Sequence, residues 1–203
     1  MDFLDGLMES DNSLYEEIIR ENLNDRGIVL NGGIDASVIE DVVLRIMKFN
    51  KEDRMLPKER RKPIKLYINS AGGEVFAGNA LISAIESSTT PVHGICLGYA
   101  ASTAYNIYIC CHERIAFPGS ILLQHDGEIG VQNSTNKAKQ TMKFFDTMEE
   151  RTKQHVLKYT SMTEEFYDEI QDQEYWMYAD DQGKKLGCVD KIIGQDCTLD
   201  YIL

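Results

Sequence analysis

The sequence predicts an α/β fold, in which a mostly parallel sheet carries helices on its faces. Short apolar runs of strand length alternate with longer segments whose apolar residues recur every three or four positions, as on one face of a helix. Parallel strands need a crossover connection that is usually helical, so this alternation favours a parallel sheet. At 203 residues the chain is long enough to form one domain with its own core.

The N-terminal half contains the first three predicted strands. Residues 1–12 are acidic and lack periodicity, so we expect a mobile arm before a single domain over 13–203. A capping-box pattern begins an amphipathic helix over 13–23. The patterns that follow predict strands over 26–33, 64–69 and 92–97, and helices over 35–50 and 75–87. The charged segment 51–62 favours a solvated loop, with a docking patch as the alternative.

The C-terminal half is dominated by a long polar helix, predicted over 136–159. Its apolar residues are sparse among many charges, which is typical of a helix that extends toward a partner or of a solvated surface helix. A turn at 117–119 precedes a strand over 121–125. The remaining elements are a capped helix over 163–170, an aromatic segment over 175–178, a helix over 179–185 and a last strand after Asp190.

Composition and charge exclude several classes of function. The net charge of −12 and a pI near 4.8 argue against nucleic acid or an anionic membrane as the main partner, because both need a basic face. No apolar run approaches the roughly 18 residues of a spanning helix, and the first residues lack the basic start of a signal peptide, so we expect a cytoplasmic protein. The five cysteines form no Cys-x-x-Cys pair and predict reduced, buried thiols. The histidines lack metal-ligand spacing, so neither a metal nor a cofactor is expected.

The candidate nucleophile is Ser102, at a predicted turn from a strand into a buried helix. Gly98, Ala100 and Ala101 precede it, and small residues allow the backbone to turn sharply and pack closely. The free N–H groups at a helix N-terminus favour negative charge, so this position suits an acyl-transfer enzyme. The alternative is that Ser102 only caps the helix.

Three motifs and their order carry a resemblance to a known family. They are Asn69-Ser-Ala-Gly-Gly73, Gly98-x-Ala-Ala-Ser102, and His125 at the end of a strand, followed by Val189-Asp190 near the C-terminus. In order and separation they resemble the proteolytic subunit of the Clp protease, from about residue 13 to residue 193. The resemblance implies that Ser102 is the nucleophile, that His125 is the general base, and that the N–H groups of Gly73 and Thr103 form the oxyanion hole.

The third member of the triad is less regular. The family places an aspartate shortly before a segment that matches Trp176–Ala179, and here Glu174 occupies that place. Asp172 is nearby, and a dyad of Ser102 and His125 without an acid is a further alternative. The sequence also departs from the family pattern at Ala71, where the family has proline, and at the polar neighbours of His125.

The resemblance has further implications for fold and assembly. It implies a spiral of strand–helix units, also typical of the crotonase superfamily, with 136–159 as a protruding handle. In the family, such a handle joins two seven-membered rings around a chamber that admits peptides or unfolded proteins, so the resemblance implies a homo-oligomer of this kind. An AAA+ unfoldase feeds such chambers, although Lys65 stands where the family usually has an aromatic residue.

Three functional hypotheses follow. The first is a serine endopeptidase core whose chemistry is independent of ATP. The second is a non-catalytic ring subunit that assembles with an active paralogue, which the irregular triad favours. The third is an acyl-CoA-processing enzyme of the crotonase type. The pairing of Ser102 with His125 argues against the third, since such enzymes usually rely on carboxylates.

Overall fold

The computed structural model describes residues 17, 21, 24–128, 130 and 132–203 of the chain. The expected arm over 1–12 and most of the helix over 13–23 lie outside the described residues. The strands are β1 (Gly27–Ile34), β2 (Ile64–Gly73), β3 (Val92–Ala101), β4 (Glu113–Ala116), β5 (Ile121–Gln124), β6 (Tyr175–Tyr178) and β7 (Lys191–Ile192).

The strands form one sheet that branches at β3. Its main path runs β1-β2-β3-β4-β7, and every pair along this path is parallel. The first half of β3 pairs with β4, with Cys96 opposite Ala116, whereas its second half pairs with β5, with Tyr99 opposite Ile121. Strand β6 is antiparallel to β5. The predicted α/β class with a mostly parallel sheet is therefore confirmed.

The helices lie close to their predicted positions. They are α1 (Leu44–Asp53), α2 (Val75–Glu86), α3 (Thr103–Ile109), α4 (Thr135–Tyr159) and α5 (Glu164–Ile170). The helix predicted over 35–50 is divided in the structure, since a π-helical segment, Ile39–Val43, precedes α1. The segment predicted as a helix over 179–185 is π-helical over Ala179–Gly183. Short 3₁₀ turns occupy Lys58–Arg60 and Leu199–Tyr201.

Helix α1 ends at a buried ion pair. The carboxylate of Asp53 is 1% exposed and accepts hydrogen bonds from both terminal nitrogens of Arg26, at 2.6 and 2.7 Å, and from the hydroxyl of Thr90 at 2.9 Å. These bonds, above all the one from Arg26, hold the pKa of Asp53 below its ordinary value despite burial. The pair thus joins the end of α1 to the residue before β1.

Strands β2 and β3 extend beyond their predicted ends. The sequence predicts their ends near Asn69 and Leu97, but pairing continues across an irregularity in register to Ser70 opposite Ala100. On the other side of β2, Gly73 lies opposite Ile34 of β1. The small residues that look like loop in the sequence are therefore strand ends, held by pairing with neighbouring strands.

The core helix α3 and the long helix α4 differ in how many of their residues are buried. Helix α3 is buried except at Asn106, which is half-buried, and Tyr105 and Tyr108 are fully enclosed, as its mostly apolar sequence predicts. Helix α4 has Val156 as its buried residue. Its last turn is tied to the sheet by Arg114 of β4, which donates a hydrogen bond to the Tyr159 carbonyl at 2.5 Å. All five thiols are free, and four of them are buried.

Candidate active site

Ser102 occupies the junction between β3 and α3 in a strained conformation. Its backbone has φ +57° and ψ −126°, a region that residues with a side chain rarely adopt. The Ser102 N–H donates to the carbonyl of Leu123 at 3.0 Å, and the Asn106 N–H donates to the Ser102 carbonyl at 3.2 Å. The Ser102 side chain makes no capping hydrogen bond to α3. A simple capping role is thus not seen, and backbone bonds on both sides hold the strained residue in place.

The Gly72-Gly73 turn lies directly against Ser102. Gly72 has φ +95°, and a Cβ atom there would lie 2.6 Å from the Ala101 carbonyl oxygen and 3.0 Å from the Thr103 nitrogen. At Gly73, with φ +151°, a Cβ atom would lie 2.2 Å from the Ile34 oxygen. Both positions therefore require glycine.

Side chains fix the same turn. The hydroxyl of Thr103 donates to the carbonyl of Gly73 at 3.0 Å, and the Gly72 N–H donates to the hydroxyl of the buried Ser70 at 3.1 Å. The structure therefore brings Gly73 and Thr103, the two sequence-predicted oxyanion residues, into contact beside Ser102.

His125 shares a cleft with Ser102. Parallel pairing of Ala101 with Leu123 places the ends of β3 and β5 side by side, so the residues that follow them come together. Ser102 and His125 line one cleft of about 740 Å³. The Nε2 atom of His125 is buried and has no hydrogen-bond partner. A buried ring nitrogen without a partner is costly unless a ligand or a reaction uses it.

The two candidate acids are placed differently. Asp172 lines the cleft together with Ser102 and His125. The exposed Glu174 accepts a hydrogen bond from the indole nitrogen of Trp176 at 3.1 Å and does not line the cleft. Glu174 directly precedes β6, whose antiparallel register places Tyr175 opposite Gln124. One further step along that register would place Glu174 opposite His125.

The walls of the cleft include two residues that the sequence analysis missed. His155 of α4 is within 2.8 Å of the Asn106 carbonyl oxygen through its Nε2 atom, and this contact joins α4 to α3. Burial lowers the pKa of His155, which favours the neutral imidazole. The carboxamide oxygen of Asn106 is buried and lacks a partner. Neither residue belongs to a recognisable motif. Asn106 follows Ser102 by one turn of α3, whereas His155 enters the site because α4 approaches α3.

The described residues contain neither a candidate metal site nor a helix that could span a membrane. Across residues 24–128, 130 and 132–203 there is no group of three or more histidine, cysteine or acidic side chains that could hold a metal ion. Within the same part of the chain, every helix is too short or too polar to cross a membrane.

Comparison with known proteins identifies the family of the chain. A sequence model of the family described as Clp protease matches residues 10–196. The chain belongs to the Clp protease family. It is 26% identical over 185 residues to a protein of Deinococcus radiodurans named "ATP-dependent Clp protease proteolytic subunit", covering 88% of this chain and 85% of that protein. The resemblance inferred from the motifs is therefore confirmed, and membership of this family supports a peptidase.

Proposed function

We propose that the protein is a serine endopeptidase core that hydrolyses peptide bonds of unfolded proteins or peptides, with chemistry that does not itself need ATP. The observation that carries the proposal is Ser102, held at positive φ at the start of α3, beside a glycine turn and in one cleft with an unpartnered His125 nitrogen. Strain of this kind persists only where surrounding structure enforces it, and it is common at catalytic residues.

The proposed reaction proceeds by acyl transfer. His125 Nε2 takes the proton of the Ser102 hydroxyl as Oγ bonds to the peptide carbonyl carbon. The carbonyl oxygen becomes negative and is stabilised by the N–H groups of Gly73 and Thr103, a contribution of a few kcal/mol per donor. The imidazolium then gives its proton to the leaving amine, and the C–N bond breaks. Water repeats the sequence on the acyl-enzyme and releases the second product.

We assign Glu174 as the residue that orients His125. A carboxylate on the second ring nitrogen would fix the tautomer and stabilise the imidazolium. The β5–β6 register supports Glu174, provided that its side chain leaves the Trp176 indole and turns toward His125. Asp172 is the competing acid, because it already lines the cleft.

We further propose that the subunits form stacked heptameric rings, with α4 as the handle between them. At 1.5 Å per residue the 25-residue helix is about 37 Å long. Its side chains Met142 and Phe144 are 45% and 55% exposed, which is unusual on so polar a helix and suits burial against another subunit. The chamber between such rings would restrict substrates to peptides and unfolded chains, and an AAA+ unfoldase would supply the latter.

The second candidate function is a non-catalytic ring subunit. The contact between Glu174 and Trp176 favours it, because this contact leaves His125 without an acid on Glu174's side. The two functions differ in one measurable property, the reactivity of Ser102.

Labelling with a fluorophosphonate tests the proposal. The wild-type protein should be labelled on Ser102, and Ser102→Ala should lose both labelling and peptide cleavage while keeping its native mass. Ser83→Ala is the matched control, because Ser83 lines the same cleft and its hydroxyl is engaged by the Asn79 carbonyl at 2.8 Å. A folded, assembled wild-type protein that resists labelling would establish the non-catalytic alternative.

A further inference from the structure

Gln124, the last residue of β5, places a buried polar side chain directly before His125. It is 2% exposed, and it is one of the polar neighbours of His125 at which the sequence departs from the family pattern. The two residues before it on β5, Leu122 and Leu123, are buried and apolar. A buried amide in such a strand costs free energy unless hydrogen bonds satisfy it, so the partners of the amide indicate what it does here.

The side-chain amide of Gln124 bridges His125 and helix α5. Its Nε2 atom donates to the His125 carbonyl oxygen at 3.3 Å and to the hydroxyl oxygen of Tyr167 at 3.4 Å. The amide carries two N–H groups, so it can make both bonds at once. Tyr167 is 5% exposed, and its backbone N–H donates to the Thr163 carbonyl at 3.0 Å in the first turn of α5. Gln124 therefore ties the backbone of His125 to a buried residue of a neighbouring helix.

Sheet pairing ends one residue before His125. The last pair of the β5–β6 ladder is Gln124 with Tyr175. Beyond His125, the Asp126 N–H donates to the carbonyl of Gln171, at the C-terminal end of α5, at 3.3 Å. Burial decreases over the same residues, from the buried Gln124 through the half-buried His125 to the exposed Asp126. The backbone of His125 thus leaves the sheet between two contacts with the α5 region, and the Gln124 side chain makes one of them.

The backbone path through Gln124 connects the two proposed catalytic residues. On one side of Gln124, the Leu123 carbonyl accepts a hydrogen bond from the Ser102 N–H at 3.0 Å. On the other side lies His125, so the position of its imidazole relative to Ser102 depends on how this short stretch is held. A general base must lie within hydrogen-bond reach of the hydroxyl, and a misplacement of about 1 Å can lower a rate by about a hundredfold.

We propose that Gln124 is a positioning residue, which holds His125 in the orientation in which it takes the proton of Ser102. The inference rests on the proposed peptidase function. Gln124 does not line the cleft, so it acts through His125 and not by contact with substrate. Tyr167 is the anchor of the amide, and it contributes to the same positioning through its hydroxyl oxygen.

The test compares Gln124→Met with Tyr167→Phe and with a control, Gln173→Met. Methionine keeps the length of glutamine and removes the amide, and phenylalanine removes only the hydroxyl of tyrosine. Gln173 is the matched control, because its amide also donates to a backbone carbonyl, that of Glu169 at 2.9 Å, but it is exposed and lies outside the cleft. A fluorogenic peptide gives kcat and KM, a fluorophosphonate gives the rate of Ser102 labelling, and thermal unfolding gives Tm.

The expected result is a loss of rate without a loss of substrate binding. Gln124→Met should lower kcat and the labelling rate roughly ten- to hundredfold, because the base is no longer held in place. KM should stay within about twofold of wild type, and Tm should fall by only a few degrees. Gln173→Met should resemble wild type in each measurement. Tyr167→Phe should also lower kcat, and combining it with Gln124→Met should cause no further loss, since both changes break the same tie.

Several outcomes would overturn the inference. One is an unchanged kcat in Gln124→Met, and another is an equal loss of kcat in Gln173→Met. A higher KM at constant kcat would also overturn it, because that result assigns Gln124 to substrate binding. If Gln124→Met does not fold, Tyr167→Phe decides, and a kcat equal to that of wild type overturns the inference. Wild-type protein that resists the fluorophosphonate overturns the proposed function itself, a result distinct from equal labelling of wild type and Gln124→Met.

Discussion

Replacing Gly72 by alanine should disable the proposed oxyanion hole of Gly73 and Thr103 without unfolding the protein. The added Cβ atom would lie 2.6 Å from the Ala101 carbonyl oxygen, 2.9 Å from the Ser102 Cβ and 3.0 Å from the Thr103 nitrogen. All three distances are shorter than ordinary van der Waals contact, so the β3–α3 junction must move. The Thr103 N–H is the donor that this movement displaces from the position of the developing negative charge.

The magnitude follows from two separate effects. Loss of one oxyanion donor typically lowers kcat by about 10²–10³-fold, or roughly 2.7–4 kcal/mol of transition-state stabilisation. Independently, alanine at φ +95° adds backbone strain of about 1–3 kcal/mol to the folded state. For a chain of this length each kcal/mol of lost stability lowers Tm by about 2–4 °C. The variant should therefore stay folded at room temperature and turn over peptide very slowly.

Gly32 provides a control for the backbone effect. Its φ of +98° nearly equals that of Gly72, but a Cβ atom at Gly32 has no neighbour within 4 Å. Turnover of a fluorogenic peptide and thermal unfolding are measured on both alanine variants. Gly32→Ala should have a lower Tm than wild type but the same peptidase rate. Gly72→Ala should have both a lower Tm and a lower peptidase rate. A Gly72→Ala enzyme within severalfold of wild type, or an equal loss of rate in Gly32→Ala, would refute the reasoning.

Further predictions concern the acid of the triad, the buried ion pair and the assembly. Glu174→Gln should lower the peptidase rate by orders of magnitude and Asp172→Asn should not; the reverse would assign Asp172, and equal activity in both would indicate a dyad. Arg26→Met leaves Asp53 buried without its ion-pair partner, so it should lower the free energy of unfolding, measured by denaturant titration, by about 3–5 kcal/mol. A decrease of less than about 1 kcal/mol would contradict this prediction. The pKa of Asp53 is lower in the folded state than in the unfolded state. Its ionised carboxylate therefore stabilises the fold fully above the unfolded-state pKa of about 3.9, and this stabilisation is lost as the pH falls through the folded-state pKa. Asp53→Asn should accordingly show a shallower loss of stability in acid, and identical acid profiles would argue against the effect. Light scattering at micromolar concentration in moderate salt should give a ring-sized mass, and a monomer would count against the rings.

The local pattern of the sequence determined the order and type of most elements. Helix α3 is mostly apolar and is buried at every residue except Asn106, and the polar sequence of α4 matches a helix with one buried residue. The Gly-Gly turn and Ser102 stand out in the sequence because small residues, which permit sharp turns and close packing, form the first and precede the second. These are properties of single residues and their near neighbours, which a sequence displays directly.

The tertiary structure alone decided how distant residues share one cleft. Pairing of Ala101 with Leu123 brings His125 to Ser102, and pairing in β2 and β3 turns apparent loops into strand ends. His155 enters the site because α4 lies against α3, and Asp172 rather than Glu174 lines the cleft. Each of these outcomes depends on long-range packing and strand register. Which of the two carboxylates, Asp172 or Glu174, faces the cleft also depends on the direction of their side chains. Local propensity carries no information about either.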